Sequence, residues 1–154
     1  TVRLLAAVGR PATFELLELL SGDRTDKLLG ALHSAVDSAI LTVDRETSAY
    51  RFRHALLAEA VLDQFLPGER AGVHGIIAEV LAQQPALSTG PGELGYHQGA
   101  AGDLRAALVA YVAAAEEAER SSGAEQGGAE ATPPTRGGGS RWHVTCYQRA
   151  RRSA

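Results

Sequence analysis

The chain has 154 residues, of which 45% are apolar, 21% charged and 5% aromatic, the balance of a globular chain with a core of Leu, Ala and Val. No apolar run approaches the roughly 18 residues of a membrane-spanning helix, no signal-peptide order opens the chain, and the single Cys146 excludes an internal disulfide and a thiolate metal site. A cytoplasmic protein with no membrane partner is expected, and a chain without Met that begins at Thr1 reads as a segment of a longer one.

Charge divides the chain unevenly. Residues 1–120 carry 16 acidic and 10 basic side chains, a net of −6, whereas residues 121–154 carry 2 acids and 5 arginines, a net of +3. An acidic body argues against a nucleic-acid surface, because phosphate binding needs a basic face. The tail also holds 6 of the 17 glycines, Pro133-Pro134 and the only Trp, Trp142. Its composition buries too little apolar surface to offset ordering entropy. Residues 122–154 therefore read as a disordered Gly/Arg-rich segment or as the product of a reading-frame shift.

In chain order, Val2 to Val8 predicts a short helix stopped by Gly9. Pro11 is expected to open a second helix, carrying Phe14, Leu16, Leu17 and Leu20 and stopped at Ser21-Gly22. A third, with Asp23 as its N-cap, carries Leu28, Leu29, Leu32, Val36 and Ile40 on one stripe. The period then changes: Leu41 to Asp44 and Tyr50 to Arg53 alternate across a polar turn, predicting a β-hairpin. Helical spacing returns from His54 through Leu57, Val61 and Phe65 and stops at Pro67-Gly68. A further helix follows, with Val73, Ile76, Ile77, Val80 and Leu81, ending before Pro85.

Three helices and a hairpin are the order of a winged helix, whose third helix commonly enters the DNA major groove. Here that helix sets Arg24, Lys27 and His33 against Asp23, Asp26 and Asp37. The wing sets Arg45, Arg51 and Arg53 against Asp44 and Glu46. So acidic a helix would repel phosphate, and packing on a neighbouring domain is the reading these charges favour. Further on, Leu94-Gly95, Gly102-Asp103, Ala107, Tyr111 and Ala114 fall at tetratricopeptide-repeat offsets over about residues 88–121. Small residues there let two antiparallel helices approach. A single repeat cannot bury its own apolar face, and the Gly-rich tail begins where a second is due. The expected fold is mainly α. A winged-helix-like three-helix unit with a small β-hairpin spans 1–66, and a helical linker with a first tetratricopeptide-like repeat spans 67–121.

The run from Tyr50 to Val61, YRFRHALLAEAV, resembles a segment typical of large ATP-binding transcriptional regulators of the LuxR/MalT type, members of the STAND class of P-loop ATPases. Leu66 to Arg70 with Val73-His74, Gly102-Asp103-Leu104 with Ala106 to Leu108, and Leu4 to Ala7 with Gly9 to Pro11 are similar to further stretches of that family. Ala39 departs from it, standing where the family has Gly at a helix end. The resemblance covers about residues 2–120. It implies a non-catalytic regulatory piece coupling an upstream ATPase core to downstream helical repeats, with DNA bound only by a separate C-terminal domain. ATP or ADP would then belong to the parent chain, and no cofactor to this segment, which has no GxxxxGK[ST] motif.

His33, His54, His74 and His97 stand about twenty residues apart, without metal-ligand spacing, and as a group read as surface or boundary residues. His54 is the exception. Its place between hairpin and helix resembles the MHD-motif His of STAND ATPases, which contacts the β-phosphate of ADP. That resemblance implies a phosphate contact by His54, with the charge of Arg53 beside it; a helix-start packing role is the alternative. No catalytic residue and no metal ligand is expected, and an independent winged-helix DNA-binding protein remains the second functional reading.

Overall fold

A computed structural model describes residues 1–125. Among these are seven α-helices, a 3-10 turn at Pro85–Leu87 and three short strands. The expected tail lies outside the described residues from residue 126 onward. Residues Thr1–Glu119 form one compact unit.

Helix α1 (Val2–Val8) is the hub. Its residues Leu5, Ala6, Ala7 and Val8 are all buried, as expected of a helix whose only polar side chain, Arg3, is exposed. Pro11 does not open the next helix as expected. Ala12–Thr13 instead forms strand β1, and Thr13 caps α2 (Phe14–Ser21) by accepting the Leu16 amide at Oγ1, 3.4 Å away. Proline's fixed φ suits this extended entry, and the capping hydroxyl sets where helical geometry begins. Asp23 likewise does not cap α3 (Thr25–Asp37). Arg24 occupies the N-cap without a side-chain capping bond, and the Asp23 carboxylate accepts from Lys27 Nζ at 2.8 Å. Leu28, Leu32 and Ala35 are the buried stripe of α3, whereas Leu29 is exposed.

Strands β2 (Leu41–Asp44) and β3 (Ala49–Phe52) form the expected hairpin, with Leu41 opposite Phe52 and Val43 opposite Tyr50. The Asp44 carboxylate accepts the amides of Glu46 and Thr47 across the turn, which holds its pKa below the usual value. β1 adds to the free side of β3, Ala12 opposite Tyr50, giving the antiparallel order β1-β3-β2.

Helix α4 (Ala55–Leu62) packs on α1 and β3 but stops short of Phe65. Pro67 then starts α5 (Pro67–Gln83) instead of merely ending the preceding helix, the position proline tolerates best. The Glu69 carboxylate accepts the Leu66 amide and completes this start. His74, Ile77, Ala78 and Leu81 are the buried face of α5, while Ile76, expected on the stripe, is exposed. Ile77 and Leu81 join the same core as Leu5, Leu17 and Leu28, so the core continues across residue 66. Helices α6 (Pro91–Ala100) and α7 (Leu104–Glu125) form a hairpin turned by Gly102, φ 93°, with Asp103 accepting the Ala106 amide. They run antiparallel: Gly92 faces Ala114, Gly95 faces Tyr111 and Gly99 faces Ala107.

Candidate functional site

Arg53 and His54 lie at the β3–α4 junction, both exposed. The Arg53 amide donates to the Ile40 carbonyl at 2.9 Å, which ties the junction to the end of α3. His54 occupies the N-cap position of α4 in extended geometry and makes no side-chain cap bond. A groove of about 310 Å³ runs between the N-terminus and α3, past Val2, Ala31, Ser34 and Ile40, and neither Arg53 nor His54 lines it.

The polar cluster of the interior lies elsewhere, on residues whose grouping the sequence does not announce. His74 and His97, expected at a surface or boundary, are both buried, and their Nδ1 atoms are 2.8 Å apart across α5 and α6. Each lies on the inner stripe of its helix: His74 stands three residues before buried Ile77, and His97 four after buried Glu93. For His74 the spacing from Ile77 is a signal readable in the sequence; His97, spaced from a charged Glu93, carries no such signal, and neither announces their meeting. At hydrogen-bond distance one Nδ1 donates and the other accepts. The accepting ring then carries its proton on Nε2, while the donating ring has a bare Nε2. Neither Nε2 has a partner among the described residues, leaving one orphan donor and one orphan acceptor. Burial pushes both imidazoles down to about 4, helped at His74 by the Arg70 charge and at His97 by its partner ring. Both rings are neutral at pH 7. The Tyr96 ring meets His74 and His97 edge-on, 5.6 and 5.1 Å between centroids.

Beside the pair, Arg10 reaches from the α1–β1 turn to the first turn of α6. Its Nε donates to Glu93 Oε1 at 2.6 Å and its Nη2 to Glu93 Oε2 at 3.2 Å and to the Leu87 carbonyl at 2.7 Å. Oε2 of Glu93 also accepts the Thr89 amide at 2.6 Å and the Thr89 hydroxyl at 2.9 Å. Burial alone would raise the Glu93 pKa. The Arg10 hydrogen bond and the Thr89 amide outweigh it, and the carboxyl is held below the usual range. The carboxylate is thus ionised, satisfied and fixed.

Chemically the cluster locks the fold and exposes no nucleophile. Among the described residues no three His, Cys, Asp or Glu side chains are grouped to hold a metal ion, and no helix is long and apolar enough to cross a membrane. Neither the family models, nor the curated proteins, nor the solved structures yield a match to this chain.

Proposed function

We propose that this chain is a non-catalytic regulatory arm of a LuxR/MalT-type ATP-binding transcriptional regulator. In this reading a winged-helix-like unit and the first tetratricopeptide-like hairpin couple an upstream ATPase core to downstream helical repeats. The observation that carries it is the Arg10–Glu93 clamp. It joins the first helices to the start of α6 across 83 residues, so a displacement of α1 is delivered to the α6–α7 hairpin through a bidentate contact. The element order and the close α6–α7 packing over Gly95 and Gly99 support the same reading. Exposed Arg53 and His54 are the groups offered to nucleotide phosphate in the parent chain.

The test is ADP release from that parent. His54→Ala is expected to speed it by roughly ten- to hundredfold, the worth of a charge-assisted hydrogen bond. An unchanged rate returns His54 to a helix-start role. The DNA-binding alternative is disfavoured because Asp23, Asp26 and Asp37 at and along α3 outnumber Arg24 and Lys27, and Asp26 and Asp23 stand 3.2 and 2.8 Å from those two side chains, where they would also face phosphate. Sub-micromolar binding of duplex DNA at physiological salt, lost in Lys27→Glu, would establish that alternative instead.

A further inference from the structure

Helix α7 packs on α6 through Ala107, Tyr111 and Ala114, whose neighbours are Gly99, Gly95 and Gly92. At 3.6 residues per turn, Leu104, Leu108, Val112 and Ala115 form a second stripe on another side of the helix. It is open: Leu104 is 73%, Leu108 65% and Val112 51% exposed. Three large aliphatic side chains in one exposed row are more than scattered surface residues require.

The charges bordering this stripe define what fits it. Arg105 and Glu116 lie about three turns apart on the same flank, one near each end of the row. When two copies of such a helix lie antiparallel, same-flank residues face one another across the seam. Arg105 then meets the second copy's Glu116, and the two-fold repeats the pair. The same alignment sets Leu104 against the second copy's Ala115 and Leu108 against its Val112, large against small at the ends and aliphatic against aliphatic at the centre. A parallel alignment would instead bring Glu116 and Glu119 of both copies to one end.

We propose that the exposed stripe of α7 is the interface with a second copy of this chain, the two helices running antiparallel and closed by paired Arg105–Glu116 contacts. This does not rest on the regulatory reading above, since it is argued from the exposure and charges of α7 alone. The contact is one helix wide, so association belongs to the weak, small-interface class.

Sedimentation velocity of the whole chain under reducing conditions tests it, from about 1 to about 300 µM, the range for an interface of this size. The mass is expected to rise from 16.1 kDa toward twice that value. Leu108→Glu is expected to hold the chain monomeric. Arg105→Glu and Glu116→Arg alone are each expected to weaken association at least about tenfold, and the double exchange to restore it. All three positions tested by these variants are exposed, and an unchanged far-UV circular dichroism spectrum confirms the fold in each. A monomer throughout the range overturns the proposal, as does association that Leu108→Glu leaves intact. Failure of the double exchange to rescue overturns the antiparallel pairing.

Discussion

Ala39 holds φ at 56°, a left-handed conformation that costs an L-residue about 1–2 kcal/mol. It persists because the turn around it closes the end of α3. The Ala39 amide donates to the Val36 carbonyl at 2.9 Å and the Ile40 amide to the Ala35 carbonyl at 3.0 Å, the paired bonds of a Schellman motif that ordinarily takes glycine at this place. Ala39→Gly should therefore raise stability by about 1 kcal/mol, read as a higher urea midpoint at unchanged slope. A lower midpoint would mean that the methyl group contributes more by packing than it costs in strain. His74 and His97 carry a pH dependence of defined sign. Folding lowers both to about 4, below the roughly 6.5 of a free imidazole. The unfolded chain then binds more protons, so stability rises with pH. The contribution of the pair is complete above about pH 6.5 and is lost progressively toward about pH 4. Glu93, held low, keeps its own contribution until the pH falls below the ordinary carboxylate range. Urea titrations at about pH 7, 6 and 5 should show falling stability, and the double variant His74→Leu/His97→Leu should flatten that fall. An equal slope in the double variant would assign the protons to other groups.

At the scale of elements, the α6–α7 hairpin depends on the absence of a side chain at one point. A Cβ at Gly95 would stand 3.1 Å from the Tyr111 ring and 3.2 Å from the Ala107 carbonyl oxygen. The ring has some freedom to move; the carbonyl belongs to the backbone of α7 and has little. Gly95→Ala should cost about 1–3 kcal/mol, the range for overpacking a close contact, despite alanine's better helix propensity. Increased stability would show that the two helices separate easily. The small-residue spacing that marks this hairpin is visible in the sequence, and so are the stripes of α2 and α3, because helical burial repeats at fixed offsets. Strand β1 is not visible: two residues after Pro11 are too few to alternate, and they are strand only because β3 has a free edge beside them.

At the scale of the whole molecule, the Arg10–Glu93 contact links side chains 83 residues apart that are 18% and 4% exposed. Arg10→Met should cost about 3 kcal/mol, because it strands an ionised carboxylate away from water. Adding Glu93→Met should recover much of that loss, since no charge is then left buried. Thermal melts of the single and double variants measure both steps. A small loss in the single variant would mean that the Thr89 donors alone satisfy Glu93.

The sequence by itself determined the succession of helices, the hairpin and the acidic body, since periodicity, glycine stops and composition are local properties. Ala39 stood out only through the resemblance, as a residue standing where the similar chains have glycine. Only the tertiary structure decided that His74 meets His97 and that Arg10 meets Glu93. Those pairs are 23 and 83 residues apart, and a distance through space has no period along a chain. Burial there inverted the expectation for two histidines: a side chain that titrates near neutrality in water becomes, between packed helices, a neutral hydrogen-bonding partner.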